Sequence, residues 1–446
     1  MPTKTPPMIS GLPLVGNMIE FMKDKIALIE RGYQQHGEIF AFKMGGQNFA
    51  MLLGPENSAK VFDMTDKELS IREASAFLEP VVGKVGILGG FDRYMEERKI
   101  IAPLLGGRYM KDHVRAMVLE TNLWIDEAGQ AGEFDINDFC QHVTMYVASR
   151  ALLGDDFRQH VGQEFVEAFH TMANGIDQVL PANLPLPRFR KRDKARKELS
   201  VLLGDLIDER RTNPDKYDDF FQKIVDAELA DGSHFGKERL ISLVILLVFA
   251  GFDTTSGHLA WAIVYLLENP DFLEMVMKEV EAVYATTDTL ELKHLREMPH
   301  LGYAVTEVER YRPAVQVLMR TVKEDVEIGG YHIPAGWSIM ISPEFSHKLE
   351  RVFTNPDEFD PERFNDERCE HAQHANTLTG FGGGLHKCWG MKFANNEIAI
   401  IAAMLIHKYK LELSNPAEPL WIGGMMRPNV TIKYQERIPQ TETQAI

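Results

Sequence analysis

The segment Phe381-Gly382-Gly383-Gly384-Leu385-His386-Lys387-Cys388-Trp389-Gly390 places a cysteine directly after a glycine-rich turn. Glycine reaches positive φ values and lets a main chain approach a flat, bulky group closely. Apolar residues recur at helical spacing over 393–405, which predicts that Cys388 stands near a helix N-terminus, where exposed N–H groups and the helix dipole favour a thiolate. The pattern predicts sulfur ligation of a flat metal cofactor, although a single cysteine in such a turn is usually a buried structural residue.

The full spacing Phe-x-x-Gly-x-His-x-Cys-x-Gly resembles the haem-binding segment of the cytochrome P-450 family, the haem-thiolate monooxygenases. The resemblance implies that Cys388 is the axial ligand of the iron of haem b and that Phe381 and Gly382 contact the haem. Thiolate ligation directs electron density toward the opposite haem face and favours O–O cleavage. The resemblance also implies a mainly α fold with a small β-rich portion, in one cytochrome P-450 domain over residues 1–446.

Two motifs earlier in the chain extend the resemblance. Glu307-Val308-Glu309-Arg310 is similar to the family's Glu-x-x-Arg pair, and Phe359-Asp360-Pro361-Glu362-Arg363-Phe364 is similar to its Pro-x-Arg segment. Together they imply a structural triad of Glu307, Arg310 and Arg363 beneath the haem. A Glu and an Arg three residues apart share a helix face in any protein, and most such pairs are solvated surface contacts. The combination with the cysteine segment favours the triad.

A long apolar stretch precedes these motifs. Residues 241–252 are almost wholly apolar, a short polar interruption follows, and apolar character resumes over 259–267. Neither half is long enough to cross a bilayer, and a helix that is apolar on all sides is predicted to lie inside a large fold. The small residues Ala250 and Gly251 let another body approach the helix, and by resemblance this body is the distal face of the haem.

The polar interruption contains an acid followed by an alcohol, Asp253 and Thr254, within a segment that resembles a third family motif. The resemblance implies that Thr254 hydrogen bonds dioxygen and that Asp253 delivers protons from solvent, because cleavage of the O–O bond consumes protons. The alternative is a purely structural role, in which the threonine hydroxyl bonds a carbonyl one turn back.

No Gly/Ser linker, internal repeat or composition break divides the 446 residues. Tight hairpins are predicted at Gly45-Gly46, between 39–44 and 48–53, and at Gly329-Gly330, between 326–328 and 331–333. Helices are predicted over 114–129, 141–153, 194–211, 239–268 and 391–407.

Charge and cysteine content narrow the partners and the compartment. The 48 Lys and Arg against 65 Asp and Glu give a net charge of −17, which argues against nucleic acid as a partner. The cysteines Cys140, Cys369 and Cys388 show neither metal-type nor disulfide spacing, which fits a reducing compartment. Residues 1–17 carry no secretory signal or membrane-spanning run, so we expect a soluble, cytoplasmic protein without a stable membrane span.

The expected substrates are O2 and a hydrophobic small molecule. Since the chain has no room for a fused flavin reductase, electrons are expected from separate proteins, a ferredoxin and its reductase or equivalents, docking near Lys387. The basic run 188–197 follows the apolar loop 180–187 and could contact an anionic membrane or partner, but it is more typical of a solvated helix face. By resemblance this region covers the substrate channel, with Leu180, Leu184 and Leu186 guiding an apolar substrate.

Haem propionates require cations. The segment Glu96-Glu97-Arg98-Lys99 resembles the helix that supplies them in the family, and Arg320 and His386 resemble two further contacts. We therefore expect Arg98, Lys99, Arg320 and His386 at the propionates and Ala250 at the haem face, although Arg98 or Lys99 alone would suit a surface position equally well.

Within the family the framework is most similar to soluble bacterial sterol 14α-demethylases, in stretches such as 131–135 and 188–196. That subfamily usually has a tyrosine at the position of Ser75, an aromatic residue at Val82 and a histidine at Asp253. Because these departures alter the pocket, we expect a changed substrate, such as a terpenoid, steroid or fatty-chain compound, with sterol 14α-demethylation as the alternative.

The substrate pocket is predicted from apolar residues at three places in the chain and near the C-terminus, and each of them would suit a core position equally well. They are Phe77, Leu78, Val81, Val82, Ile245, Phe249, Val315, Val317, Leu318, Met425 and Met426. A haem-thiolate isomerase or peroxygenase would not need the acid and alcohol pair, and a non-enzymatic haem sensor would not need the pocket. Both remain alternative functions.

Overall fold

The structure, a computed structural model, describes residues 4–177, 180, 182–422 and 425–437. Its helices are α1 (Met18–Lys23), α2 (Lys25–His36), α3 (Pro55–Met64), α4 (Ile71–Ala74), α5 (Glu79–Val82), α6 (Phe91–Leu104), α7 (Met110–Ala128), α8 (Ile136–Leu153), α9 (Asp155–His160), α10 (Gly162–Ala173), α11 (Pro187–Thr212), α12 (Phe220–Val225), α13 (Lys237–Glu268), α14 (Pro270–Tyr284), α15 (Pro299–Tyr311), α16 (Pro343–Ser346) and α17 (Met391–Lys408).

The strands are β1 (Ile39–Met44), β2 (Gln47–Leu52), β3 (Leu69–Ser70), β4 (Ala131–Asp135), β5 (Leu318–Val322), β6 (Val326–Ile328), β7 (Tyr331–Ile333), β8 (Ser338–Ile341), β9 (Tyr409–Leu413), β10 (Glu418–Ile422), β11 (Met425–Asn429) and β12 (Thr431–Glu436). The elements confirm a mainly α fold with small sheets.

The chain separates into two compact units. The first consists of Met1–Glu79, Ile87–Tyr94 and Glu309–Cys388, and the second of Pro80–Gly86, Met95–Val308 and Trp389–Ile446. The assignment of one domain to the whole chain stays a prediction.

The first unit contains a five-stranded sheet in the order β1-β2-β8-β5-β3, in which only β2 and β8 are parallel. Both predicted hairpins are confirmed. The β1–β2 turn uses φ values of +54° and +87° at Gly45 and Gly46, and the β6–β7 turn uses +58° and +80° at Gly329 and Gly330. Side chains with a β-carbon rarely adopt such values, which explains the paired glycines.

Both faces of this sheet are covered. Ile39 packs in one apolar cluster, while its neighbour Phe40 packs in another that includes Leu28 and Ile29 of α2. Successive strand residues point to opposite faces, so the near-continuous apolar sequence of β1 suits a strand buried on both sides.

The second unit is built on α13, a helix of 32 residues that is buried along most of its length. The predicted helices are confirmed as α7, α8, α11, α13 and α17, and three of these begin several residues earlier than predicted. The start of α8 is set by Asp135, whose side chain accepts the N–H groups of Asn137 and Asp138, and α11 starts with Pro187 at its first position. Such caps fix a helix start without any apolar periodicity.

Among the described residues, α13 is the one helix long and apolar enough to cross a membrane, and most of that stretch is buried, as in the core helix of a soluble protein. The basic run on α11 is only partly the solvated face that was predicted. Arg192 is buried and donates to the Ala182 carbonyl, and Arg196 donates to the carbonyl of Val81. In the preceding loop Leu180 and Leu184 are exposed.

Candidate active site

Residues 379–388, termed here the cysteine loop, present the thiol of Cys388 at the surface of the protein. The loop closes through two backbone hydrogen bonds, from the Gly382 N–H to the Thr379 carbonyl at 2.8 Å and from the Cys388 N–H to the Phe381 carbonyl at 2.9 Å. Gly382 has a φ value of +71°. Cys388 is therefore an exposed residue of this loop, and the alternative of a buried structural cysteine is wrong.

Gly383 is required by packing. A β-carbon at this position would lie 2.3 Å from the ring of Phe62, which belongs to α3. Any other residue type at position 383 would force the loop or the ring to move. Gly383 therefore sets how closely the loop packs against α3.

The root of the cysteine loop is attached to the end of α15. His347 is fully buried, and burial lowers its pKa to about 3, so its imidazole is neutral. Its Nδ1 donates to the carbonyl of Arg310 at 3.1 Å, which leaves Nε2 to accept the N–H of Thr379 at 3.0 Å. Sequence reasoning missed His347, because nothing in its local sequence marks it.

Glu307, Arg310 and Arg363 are fully buried, so the alternative of a solvated surface pair is wrong. Arg310 and Arg363 both donate to the carbonyl of Glu358, at 2.8 and 3.2 Å, and Arg363 also pairs with Glu370 at 3.0 Å. Burial with many acceptors is the condition under which arginine charges are structural. The contact of Glu307 with both arginines stays a prediction.

A group of polar residues surrounds His386 at the end of the loop. Its Nε2 pairs with the carboxylate of Asp66, while Tyr94 donates its hydroxyl to the Leu385 carbonyl at 3.1 Å and places its ring centroid 4.4 Å from that of His386. Within the described residues the buried Nδ1 of His386 has no hydrogen-bond partner. An adjoining cavity of about 230 Å³ is also lined by Arg72 and Lys323, which sequence reasoning missed together with Tyr94.

Arg320 is a buried cation that lacks an anionic partner among the described residues. It is 4% exposed and donates to the neutral acceptors Thr65 Oγ1 and Met319 O, at 3.0 and 2.8 Å. Burial lowers its pKa to about 10, against the opposing influence of Asp66. Since a buried charge requires a counter-charge, Arg320 is suited to an acidic ligand.

In the second unit, α13 is open at one point. Ala250 is exposed although most residues of the helix are buried, and a β-carbon at Gly251 would meet nothing within 4 Å. The Thr254 hydroxyl donates to the Ala250 carbonyl at 2.7 Å, the bond expected for a structural role. The hydroxyl oxygen can still accept a hydrogen bond, so this contact is compatible with a catalytic role as well.

Asp253 forms an ion pair that was not foreseen. Arg427 of β11 approaches its carboxylate with Nη2 at 2.6 Å, and the same nitrogen donates to the Asp253 carbonyl at 2.9 Å and to Ser256 Oγ at 3.0 Å. Burial nevertheless raises the pKa of Asp253, outweighing Arg427. The neighbouring His170 has its pKa lowered by burial. The acid is thus available to hold a proton at higher pH than an exposed aspartate.

Strand β11 meets α13 through three successive residues. Met425 occupies the space left by Gly257, where an added β-carbon would lie 2.7 Å from its Cε, and the Met426 carbonyl accepts the indole N–H of Trp261 at 2.8 Å. Arg427 then reaches Asp253. These contacts fix the acid from outside its own helix.

The remaining predicted cations lie on α6. Arg98 is partly buried and Lys99 is exposed. The adjacent Glu97 is fully buried, pairs with Arg239 at 2.8 Å and accepts the Gly86 N–H at 2.6 Å, which sets the rotation of α6. Propionate binding by Arg98 and Lys99 stays a prediction.

The family model of cytochrome P-450 matches residues 6–435. The chain belongs to the cytochrome P-450 family. A sterol 14α-demethylase of Mycolicibacterium vanbaalenii is 31% identical over 435 residues, 95% of this chain and 96% of the relative. A sterol 14-demethylase of Arabidopsis thaliana is 30% identical over 449 residues, 97% and 92% of the two chains. The retinoic acid-bound cyanobacterial CYP120A1 matches with a TM-score of 0.86 at 24% identity, over 98% of this chain and 100% of that chain, and so has the same fold.

Members of the cytochrome P-450 family are monooxygenases that bind haem through a cysteine thiolate, so this P-450 is a haem-dependent monooxygenase. The first unit suits such a cofactor. Among the described residues it offers an exposed cysteine on a glycine-rich loop, a buried guanidinium at Arg320 that has no ion-pair partner, and a ring nitrogen of His386 that has no hydrogen-bond partner. A thiolate and cations for two carboxylates are the donor set that haem b requires.

The predicted pocket residues differ in burial. Val81, Val82 and Ile245 have almost no accessible surface, which favours the core alternative for these three. Val315 is 37% exposed. The other accessible pocket residues are partly exposed, and they are Phe77, Leu78, Phe249, Val317, Leu318 and Met426. Met425 is buried against α13. Substrate contact by the accessible residues stays a prediction.

Proposed function

We propose that this P-450 inserts one oxygen atom from O2 into a C–H bond of a hydrophobic substrate, with Cys388 as the axial ligand of haem b. The single observation that carries the assignment is the exposure of the Cys388 thiol on a loop whose glycines exclude other side chains. Bound haem supplies an iron centre that activates dioxygen, and thiolate ligation favours O–O cleavage.

The surrounding residues have distinct roles in this proposal. Arg320 and His386 would hold the propionates, with Arg98 and Lys99 as further cations, because a buried guanidinium binds a carboxylate through charge-assisted hydrogen bonds. Thr254 would accept a hydrogen bond at the reacting oxygen, while its own proton stays on the Ala250 carbonyl, and Asp253 would supply protons. The raised pKa of Asp253 supports this role, since a proton donor works best when its pKa lies near the working pH.

The substrate is proposed to be a terpenoid, steroid or fatty-chain compound. Two relatives at 30–31% identity are sterol 14-demethylases, which favours a fused-ring substrate and makes sterol 14α-demethylation the second candidate. Ser75, Val82 and Asp253 depart from residues usual in that subfamily. Of the three, Val82 is completely buried, whereas Ser75 and Asp253 retain accessible surface, so Ser75 and Asp253 are the better candidates for a change in specificity.

Electrons are proposed to come from a ferredoxin and its reductase or from equivalent proteins, docking near the exposed Lys387. The cytoplasm is the proposed location.

The ligand assignment is tested by replacing Cys388 with alanine and Cys369, a partly buried cysteine outside the loop, with alanine as the control. The carbon monoxide difference spectrum of the reduced, haem-loaded protein should show the thiolate-ligated band in the parent and in Cys369→Ala, and lose it in Cys388→Ala. An unaltered spectrum in Cys388→Ala would overturn the assignment.

The substrate class is tested by titrating the ferric protein with sterols, terpenoids and fatty acids and following the haem spin state. Product formation should require O2 and a reductant. Turnover with peroxide alone would favour a peroxygenase, and removal of the 14α-methyl group from a lanosterol-like sterol would establish the second candidate.

A further inference from the structure

Glu309 is a buried acid that none of the roles above uses. It lies in α15 between Val308 and Arg310, is 7% exposed, and points its side chain at the root of the cysteine loop. Its carboxylate accepts backbone hydrogen bonds from Gly380 and Phe381. A β-carbon at Gly380 would lie 2.6 Å from Glu309 Cγ, so only glycine permits this approach.

Three successive backbone N–H groups are therefore captured at one place. The N–H of Thr379 is held by His347, and those of Gly380 and Phe381 are held by Glu309. Successive N–H groups that converge form a small anion-binding concavity. In this loop the anion is the carboxylate of Glu309. It comes from the end of α15, to which His347 is also hydrogen bonded through the Arg310 carbonyl.

The carboxylate is connected to Cys388 through one peptide unit. Phe381 donates its N–H to Glu309, and the carbonyl of Phe381 accepts the N–H of Cys388 at 2.9 Å. Lys387, next to the cysteine, is the cation that acts on Glu309. A shift of the Glu309 side chain would thus move the residue that holds the cysteine backbone.

We propose that Glu309 is a positioning residue for Cys388, holding the root of the cysteine loop through Gly380 and Phe381 and placing a negative charge at the root of that loop. The inference rests on the proposed role of Cys388 as the haem ligand. Burial raises the pKa of Glu309 to about 7, so the carboxylate is partly ionised at neutral pH. His347 is neutral there, and Arg310 turns its guanidinium to the carbonyls of His347 and Pro356. Lys387 therefore remains the compensating charge.

The test uses Glu309→Leu and the milder Glu309→Gln, which keeps one acceptor. The matched controls are Glu344→Leu and Glu344→Gln, since Glu344 is also buried in the first unit but bonds to Gln316 and Arg312 rather than to the loop. In the reduced, carbon monoxide-bound protein, the ratio of thiolate-ligated to thiolate-detached haem should fall roughly tenfold or more in Glu309→Leu, the effect of losing a charge-assisted hydrogen bond, and less in Glu309→Gln.

The reduction potential of the haem, measured by spectroelectrochemical titration, should become more positive in both Glu309 variants, because a negative charge at the root of the cysteine loop is removed. It should stay at the parent value in both Glu344 variants. A parent-like ratio and potential in Glu309→Leu, or equal changes in the Glu344 variants, would overturn the proposal. Cys388→Ala, measured in parallel, reports on the ligand assignment independently, since only that variant should lose the thiolate band completely.

Discussion

The ion pair between Asp253 and Arg427 predicts an unusual response to the substitution Asp253→Asn. Arg427 has no exposed surface, and Asp253 is its single ion-pair partner in the described part of the chain. Within the described residues, Nε and Nη1 of Arg427 already lack hydrogen-bond partners. Removing the carboxylate charge therefore leaves a buried guanidinium that only neutral oxygens contact.

The expected cost follows from the burial of the two partners. Breaking a buried ion pair by removing one member costs about 3–5 kcal/mol, because the other charge stays desolvated. The Asp253 side chain is 25% exposed, so solvent screens part of the interaction. We expect Asp253→Asn to lower the free energy of unfolding by about 2–4 kcal/mol, and Arg427→Met to lower it less, because Asp253 can then take up a proton.

The assay is denaturant unfolding of the haem-loaded protein, followed by circular dichroism, for both single variants and the double variant. The double variant removes both charges and should recover most of the loss. The surface pair of Lys223 with the 95% exposed Asp218 is the control, and Asp218→Asn should leave the free energy of unfolding essentially unchanged, because solvent screens this pair. A loss in Asp253→Asn no larger than in this control, or a double variant less stable than Asp253→Asn, would refute the reasoning.

This result bears directly on how the proton-delivery role is tested. A loss of turnover in Asp253→Asn would combine a folding defect with a missing proton donor. Thr254 avoids this ambiguity, because its described contact is the single hydrogen bond to the Ala250 carbonyl.

Three further outcomes are expected. Thr254→Ala should keep the carbon monoxide spectrum and most of the stability but release peroxide in place of product, as measured by the ratio of product to reductant consumed; unchanged coupling would contradict the relay. Burial raises the pKa of Glu309 to about 7 in the folded protein, against an ordinary value of 4.5, so its stabilising contribution is complete below pH 4.5 and is lost as the pH rises through 7; unfolding at several pH values should show a fall of roughly 3 kcal/mol that Glu309→Gln removes. Gly383→Ala should lower haem retention, because its β-carbon meets the Phe62 ring, and Gly302→Ala, at an exposed helical position where a β-carbon meets nothing within 4 Å, should not.

The sequence predicted those elements that are determined by residues close together in the chain. The Gly45-Gly46 and Gly329-Gly330 hairpins and the long helix α13 follow from turn chemistry and apolar runs, and the structure confirms them. The position of Cys388 shortly before a helix start was likewise predicted, because glycines and a following apolar period are local signals, and α17 begins at Met391. Helix starts were less accurate where a capping residue such as Asp135 sets the boundary.

Partners from distant parts of the chain were not foreseen. Arg427 lies 174 residues from Asp253, and His347 lies 32 residues from Thr379. Each reads in sequence as an ordinary polar residue, since only the fold brings it to its partner. Of these two partners, the sequence could have indicated Arg427. It directly follows the apolar residues Met425 and Met426, and a charged residue in an apolar strand needs a buried counter-charge.

Asp253 and Glu309 are both buried acids, and the cation that compensates each carboxylate charge decides whether the acid suits proton transfer or a structural role. Burial raises the pKa of both carboxyls, and the largest opposing influence is the charge of Arg427 on Asp253 and the charge of Lys387 on Glu309. Arg427 is buried, so protonation of Asp253 leaves an unpaired buried cation and a proton there is readily passed on. Lys387 is exposed, so protonation of Glu309 leaves a solvated cation and the loop contacts tolerate either charge state. The first arrangement suits a relay and the second suits an anchor.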